Sequence, residues 1–237
     1  MLKLGKIVFD GTPRVAVSIA DGETNARLKA SCADVIEVRV DQFADRTEGS
    51  VQKNLARRSK LRIPLILTVR NDPREGARPP FLSAAQKLRI FESAIGLVDA
   101  VDIELSSELL PKVMALARRR RKTVIVSVHD FRETPSPTRL ERILQRAKGK
   151  GADIVKVAVL ANSPDDVRRL LAFTLKHRRE NLIVISLGTR GAISRLAFPA
   201  AGSLLTIGYL DKPMAPGQLP VSRLKKDLRA YYPAYKQ

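Results

Sequence analysis

The chain is poor in cysteine, histidine and aromatic residues. Its 237 residues include one cysteine, two histidines, no tryptophan, four tyrosines and seven phenylalanines. The single Cys32 excludes an internal disulfide, and because it closes an amphipathic stretch we expect it in the core rather than as a reactive thiol. With only His129 and His177 beside it, the chain offers too few ligands for a typical four-ligand Cys/His metal site. We therefore expect a protein without a metal centre.

Long apolar segments are also missing. No apolar run approaches the ~20 residues that a membrane-spanning helix needs. The opening segment, MLKLGKIVFDGTPR, lacks the apolar core of a signal peptide. Hydrophobic residues make up 44% of the chain and charged residues 28%, a balance typical of a globular protein with a core. We expect a cytoplasmic chain without membrane contact, long enough for one large α/β domain or two small ones.

Acidic residues are scarce relative to basic ones. The chain has 43 Lys and Arg against 24 Asp and Glu, a formal net charge of +19. This balance suits anionic substrates and also raises nucleic-acid binding as a hypothesis. The densest run, RRRRK at 118–122, follows a helical pattern, and cations are favourable at a helix C-terminus, so its plain interpretation is a solvated helix end. The few aromatic residues and the lack of any nucleic-acid motif leave that partner a minority hypothesis.

Short runs of β-forming residues recur along the chain, separated by stretches with helical periodicity such as 83–98 and 163–177. The eight runs are RVAVSIA (14–20), DVIEVRV (34–40), IPLILTV (63–69), AVDIEL (100–105), TVIVSV (123–128), DIVKVAV (153–159), LIVISL (182–187) and LLTIG (204–208). Nearly continuous apolar strands that alternate with helices indicate a parallel sheet covered by helices. Eight such units in this length favour a (β/α)8 barrel. A doubly wound open sheet is the alternative, but SIADGETN after the first strand is not a glycine-rich dinucleotide turn.

Polar side chains gather at the C-terminal ends of the predicted strands, where barrels carry their chemistry. The second strand ends in Glu37, Arg39 and Asp41, which share one face because side chains alternate with a period of two. Four further strand ends contribute Thr68 and Arg70, Ser127 and His129, Lys156, and Ser194 and Arg195. The N-terminal ends carry no comparable cluster. This distribution predicts an enzyme.

Lys156 interrupts an otherwise apolar strand, DIVKVAVL, and a buried ammonium without a partner is costly. Adjacent strands five and six would bring His129 close to the amine. With Arg39, Arg70 and Arg195 near the same mouth, we expect neighbouring cations to favour the neutral, nucleophilic amine.

A neutral amine attacks a carbonyl to give an imine, which acidifies the adjacent C–H, and a histidine removes that proton as a general base. The alternative is a structural lysine that reaches the barrel mouth or pairs with Glu104.

Six motifs at successive strand ends, EVRVD, TVR, VSVHDF, KVAV, GAISR and APGQ, resemble type I 3-dehydroquinate dehydratase of the shikimate pathway. The resemblance covers nearly the whole chain, and six motifs in one order are specific. It implies a single (β/α)8 catalytic domain over residues 1–237. It also implies dehydration of 3-dehydroquinate, a small anionic substrate, to 3-dehydroshikimate without any cofactor, as in aromatic amino acid biosynthesis.

The resemblance implies roles for particular residues. Lys156 would form the imine, and His129 would remove the neighbouring proton and later protonate the departing hydroxyl. Glu75 would orient the histidine, although here it lies one residue further along and Ala77 replaces a glycine. Five residues would bind the substrate, its ring hydroxyls or its carboxylate: Glu37, Arg39, Arg70, Arg195 and Gln218.

Two positions depart from the family pattern. Met214 stands where a serine commonly precedes APGQ, and Leu187 stands where a methionine is common. Neither change touches Lys156 or His129, so we expect the chemistry to survive. The Gly- and Pro-rich segment 208–220 should form a loop over the active-site face.

Alternative functions remain open at this point. Another lysine-imine barrel enzyme, such as a class I aldolase, would also place a lysine on strand six, but no convincing phosphate loop follows strand seven. A basic nucleic-acid-binding protein on an inactive barrel is the alternative from another class. A homodimer is compatible with the sequence, which does not specify an oligomeric state.

Overall fold

A parallel barrel of eight strands forms the centre of the protein. The computed structural model describes residues 2–232 and residue 235. A short antiparallel hairpin, β1 (Lys3–Leu4) and β2 (Ile7–Val8), precedes the barrel. The barrel strands are β3 (Arg14–Ile19), β4 (Val35–Arg39), β5 (Leu65–Thr68), β6 (Ala100–Glu104), β7 (Thr123–Asp130), β8 (Ile154–Leu160), β9 (Leu182–Leu187) and β10 (Leu205–Gly208).

Strand order distinguishes this barrel from an open doubly wound sheet. Strands β3 to β9 pair in sequence order, and β10 pairs with β3 in parallel, with Thr206 opposite Val15. The ring approaches closure where Leu182 of β9 bridges Ser203, just before β10. The predicted (β/α)8 barrel and its eight strands are confirmed.

Helices cover the outside of the barrel and run from its C-terminal to its N-terminal end. The helices are α1 (Asn25–Ala30), α2 (Glu48–Ser59), α3 (Ala84–Ala94), α4 (Leu110–Arg119), α5 (Pro137–Gly149), α6 (Pro164–Lys176), α7 (Ser194–Ala197) and α8 (Val221–Tyr231). Capping residues explain where several of these helices begin. Ser163, for example, caps α6 by accepting from the Asp166 amide, and Pro164 occupies the first turn, where no amide donor is needed. Among the described residues, no helix combines the length and apolar character needed to cross a bilayer.

The inner face of the barrel changes from apolar to polar along each strand. At the N-terminal end, Leu4 of the hairpin packs with Ala16, Val35, Ile66 and other inward side chains. One inward position later, six of these strands present polar side chains: Ser18, Glu37, Thr68, Asp102, Ser127 and Lys156. The hairpin thus helps to fill one end of the barrel, and the chemistry is confined to the other.

Two features differ from the sequence-based expectation. The β1–β2 hairpin was not predicted because its strands are only two residues long. Cys32 is exposed rather than in the core, because it lies after α1 in a turn with φ of 52°. The expectation that Cys32 is buried is therefore wrong.

Candidate active site

A cavity opens at the C-terminal ends of the strands. It encloses about 520 Å³ of empty space, including its opening to solvent. All eight side chains named as candidate site residues line it: Glu37, Arg39, Arg70, Glu75, His129, Lys156, Arg195 and Gln218. Within residues 2–232 and 235, no group of three or more His, Cys, Asp or Glu side chains could hold a metal ion. The cavity therefore brings together the polar strand ends that the sequence pattern singled out.

Lys156 lies deep in this cavity on β8 and is 4% exposed. Its Nζ donates to Glu37 Oε1 at 3.0 Å and to Asp102 Oδ2 at 3.1 Å. The sequence placed cations near the amine, but the charged groups that contact Nζ directly are these two carboxylates. Glu104 is not its partner either and pairs instead with Lys87 of α3 at 2.5 Å. The buried amine is held by Glu37 and Asp102.

The two carboxylates belong to a wider buried network. Asp102 also accepts from Arg70 Nη2 at 2.8 Å and from the Ser127 hydroxyl at 2.7 Å. Although burial opposes ionisation, Lys156 and Arg70 hold the pKa of Asp102 well below its usual range.

Glu37 accepts from the Ser18 and Thr68 hydroxyls at 2.5 and 3.1 Å. Its pKa is also lowered, because the Lys156 and Arg39 cations outweigh its burial. The negative charges of Glu37 and Asp102 therefore offset the positive charges of Lys156 and Arg70 in the barrel interior.

His129 follows Ser127 on β7, one inward position above the level of Lys156. The Glu75 carboxylate accepts from the His129 backbone amide at 3.0 Å and lies 3.2 Å from Nδ1. Burial, together with the Arg70 and Lys156 cations, holds the pKa of His129 well below its usual range. The imidazole is therefore neutral at neutral pH, with Nδ1 directed to Glu75 and Nε2 available to another group.

Glu75 has the opposite perturbation. Burial raises its pKa to about 7, an effect that the nearby Arg70 cation only partly offsets. The residue ends a short 3₁₀ turn (Pro73–Glu75), and Gly76 follows with φ of 84°. A Cβ at Gly76 would meet the Phe131 ring at 2.7 Å, so this glycine is required both for its backbone conformation and for space. The longer spacing before Glu75 still brings its carboxylate to His129.

Arg39 and Arg195 differ in how their charges are compensated. Arg39 makes a bidentate pair with Asp41 at 2.9 and 2.8 Å. Arg195 is 2% exposed and donates only to backbone carbonyls, those of Ile207 and Gly217. Among the described residues no carboxylate pairs with it, and burial lowers its pKa to about 10. Arg195 therefore presents an uncompensated cation to the cavity.

The loop after β10 lies over the cavity mouth. Gly188 at the end of β9 donates to Pro216 O at 3.1 Å, and Gly217 approaches so closely that a Cβ there would lie 2.2 Å from Gly188 O. Gln218 Oε1 accepts from the Met214 amide at 2.7 Å, which fixes the turn between them. Met214 and Gln218 both line the cavity. The predicted loop over the active-site face is present in a docked position.

Asp102 is the site residue that sequence reasoning missed. It contacts Lys156, Arg70 and Ser127 and is 1% exposed. The available signal was its position two residues before Glu104 in DIEL, which places both on the inward face of β6. A carboxylate on the inward face of an otherwise apolar strand is a natural partner for a buried lysine such as Lys156.

Comparison with known proteins gives a consistent result. Residues 18–234 match the model of the family described as type I 3-dehydroquinase. The 3-dehydroquinate dehydratase of Thermodesulfovibrio yellowstonii is 33% identical over 215 residues, 90% of this chain and 93% of that protein. That of Aquifex aeolicus is 36% identical over 222 residues, 92% of this chain and 98% of that protein. A crystal structure of type I 3-dehydroquinate dehydratase from Clostridium difficile superposes with a TM-score of 0.87 at 31% identity, covering 98% of this chain and 97% of that one.

Proposed function

This chain belongs to the type I 3-dehydroquinase family, and we propose that it dehydrates 3-dehydroquinate to 3-dehydroshikimate through an imine on Lys156. The observation that carries this proposal is the buried Lys156 amine, held by two carboxylates in a cavity that also contains the neutral His129. Residues 1–237 act as one catalytic domain in this proposal.

Imine formation begins with attack of the Lys156 nitrogen on the substrate ketone. The amine must first lose a proton, and the ketone oxygen must leave as water after gaining protons. Glu37 and Asp102 both accept hydrogen bonds from Nζ and are the nearest groups that can take up and return these protons. The product of this step is an iminium ion, whose positive charge lies beside the same two carboxylates.

Elimination follows from the iminium ion. The neutral His129 removes a proton from the carbon next to the iminium, and the electron pair moves toward nitrogen to give an enamine. The resulting imidazolium, stabilised through Nδ1 by Glu75, protonates the departing hydroxyl, which leaves as water. Hydrolysis of the conjugated imine then releases the enone and restores the Lys156 amine. Protons and electrons balance without a cofactor or a metal.

Substrate binding uses the remaining cavity residues. Because Arg195 donates only to backbone carbonyls, its charge is free to pair with the carboxylate of the substrate. Gln218, on the loop after β10, covers the same region of the cavity. Glu37, Arg39 and Arg70 bind the ring hydroxyls, and their existing ion pairs hold them in place before substrate arrives.

Appearance of the conjugated enone product by ultraviolet absorbance, after addition of 3-dehydroquinate, tests the reaction itself. A class I aldolase would instead cleave sugar phosphates. Turnover of 3-dehydroquinate without sugar-phosphate cleavage is expected, and the reverse result would favour the aldolase.

Glu75→Gln should change the pH dependence of the reaction. Because the pKa of Glu75 is about 7, its carboxylate becomes ionised as pH rises through neutrality and only then stabilises the His129 imidazolium fully. We expect the unaltered protein to show kcat/KM falling below a pH of about 7, and Glu75→Gln to lose this acid limb. The amide preserves an acceptor for the His129 backbone, so kcat at pH 8 should fall only about tenfold.

Stability gives an independent readout of the same group. A raised folded-state pKa means that the folded protein holds the Glu75 proton more tightly, so this contribution to stability is present below pH 4.5 and is lost as pH rises through about 7. Glu75→Gln should therefore be more stable than the unaltered protein at pH 8, by on the order of 3 kcal/mol at most. Urea unfolding at pH 5 and pH 8 measures this difference in stability. In the kinetic experiment, a fall in kcat/KM near pH 7 that persists in Glu75→Gln would show that another group causes it.

Gln218→Ala should raise KM while changing kcat less. The substitution removes the acceptor for the Met214 amide and a polar contact to substrate, each a neutral hydrogen bond of about 0.5–1.5 kcal/mol, so KM should rise roughly tenfold. Gln218→Glu is the matched control, because it keeps the Met214 acceptor but places a negative charge near the substrate carboxylate. Its KM should rise further than that of Gln218→Ala. An equal or smaller rise would show that Gln218 acts only by ordering the loop.

A further inference from the structure

Three neighbouring helix ends at the end of the barrel opposite the cavity are rich in cations. Helices α4, α5 and α6 are consecutive around the barrel, and their C-terminal ends lie at its N-terminal end because helices and strands run in opposite directions. The sequences at these three ends are RRRRK (118–122), RAKGK (146–150) and KHRR (176–179). None of the proposed catalytic residues lies at this end.

Ion pairs and hydrogen bonds join the three helix ends into one surface. Arg118 at the end of α4 pairs with Asp153 at 2.9 Å and also donates to Gly151 O, both in the segment after α5. Lys148 at the end of α5 pairs with Glu180 after α6 at 3.5 Å. Helices packed side by side lie about 8–10 Å apart, so three neighbouring ends span roughly 20 Å.

Most cations on this surface have no carboxylate partner. Arg118 and Lys148 are paired as above, and Lys176 pairs with Glu141 at 2.7 Å. The other eight cations have no ion pair within the part of the chain that the structure describes, and we call them the basic face: Arg119, Arg120, Arg121, Lys122, Arg146, Lys150, Arg178 and Arg179. Lys122 is half-buried and the other seven are exposed. Cations at a helix C-terminus are favourable, but one or two per helix suffice for that effect. The macrodipole therefore does not account for the number of charges here.

From this arrangement we propose that the basic face binds the phosphate backbone of double-stranded nucleic acid without sequence preference. Six of the eight side chains are arginines, whose planar guanidinium groups donate two hydrogen bonds to one phosphate. B-form DNA carries one charge per ~1.7 Å of axis, so a duplex lying across ~20 Å of the face presents more phosphates than the face has cations. Binding here leaves the cavity at the opposite end open.

The composition of the face favours a duplex over other polyanions. The three segments contain no Phe, Tyr or Trp, so unpaired bases would find no stacking platform of the kind that single-strand binders use. Of the four large apolar side chains that are exposed in the described chain, only Leu175 lies on α4, α5 or α6. Stable membrane binding by a surface helix needs a broad apolar face in addition to charge. The face thus has the charge to bind phosphates and little means to insert into a lipid surface.

Fluorescence anisotropy with a labelled duplex of about 20 base pairs, repeated over a range of salt concentrations, tests the proposal on the full chain. Each phosphate neutralised adds about −0.9 to the slope of log K against log salt, so we expect a slope of roughly −4 to −7. In the variant Arg119→Gln/Arg120→Gln/Arg179→Gln the slope should shrink by about 3, and affinity near 0.1 M salt should fall by at least ~30-fold.

A matched variant separates the face from net charge. Lys53→Gln/Lys112→Gln/Lys226→Gln removes the same charge from exposed lysines outside the face and should bind duplex nearly as well as the unaltered protein. Far-ultraviolet circular dichroism should show that both variants fold like the unaltered protein, so the binding test does not depend on the proposed reaction. The dehydratase activity of both variants should also be unchanged, because none of the six residues lines the cavity. Equal losses in the two variants, or no duplex binding at low salt, would overturn the proposal. Binding to vesicles of phosphatidylcholine and phosphatidylserine but not to duplex would assign the face to lipid instead.

Discussion

Lys156→Met is expected to abolish dehydration and to destabilise the fold at the same time. Without the amine no imine forms, and removal of a catalytic nucleophile costs at least ~10⁴-fold in kcat. Methionine is similar in length and apolar, so it leaves Glu37 and Asp102 buried without the cation that both contact. Breaking a buried ion pair by removing one partner costs about 3–5 kcal/mol. Steady-state kinetics and urea unfolding measure the two effects separately.

The double variant Lys156→Met/Asp102→Asn separates catalysis from stability. Neutralising Asp102 removes one uncompensated charge, so part of the lost stability should return. Arg70 then loses its nearest carboxylate and keeps only the more distant Glu75 and Glu104, so the recovery should be incomplete. Activity should not return, because the amine is still missing. Appreciable turnover by Lys156→Met would show that another group forms the covalent intermediate, and unchanged stability would show that the carboxylates do not depend on the lysine.

His129→Ala is expected to lower kcat by about 10²–10⁴-fold, the usual contribution of a positioned general base. Imine formation should persist, because the atoms that contact Lys156 Nζ are carboxylate oxygens and not the imidazole. His129→Asn is the matched control, since its side chain amide can still donate to Glu75 but cannot act as a base. Equal losses in the two variants identify proton transfer as the cause. Near-normal activity of His129→Asn would show that the residue acts only by packing or orientation.

The fold could be predicted from the sequence because its signals are local and repeated. Each barrel strand is a short apolar run, and the longer helices carry helical periodicity or a cap such as Ser163 before Pro164. Lys156, His129 and Arg195 could be predicted as site residues because barrels carry their chemistry at the C-terminal ends of the strands. All three line one cavity. The β1–β2 hairpin escaped because two-residue strands carry no periodic signal.

Charge pairing within the cavity could not be predicted in the same way. Which carboxylate meets Lys156 depends on the register between strands that are distant around the ring, since Glu37 lies on β4, Asp102 on β6 and the lysine on β8. Sequence spacing placed arginines and carboxylates at the mouth of the barrel, but it did not show which of them form ion pairs. The exposed position of Cys32 likewise depends on a left-handed turn that its neighbours in sequence do not signal.

Borohydride trapping tests the central claim most directly. Only an imine is reduced to a stable secondary amine, so treatment of the protein with borohydride in the presence of substrate or product should inactivate it irreversibly. Mass spectrometry of the digested protein should place the added mass on the peptide that contains KVAV, at Lys156. The same treatment of Lys156→Met should leave no adduct, whereas His129→Ala should still be labelled. An adduct on a different lysine, or none in the unaltered protein during turnover, would contradict the proposed mechanism.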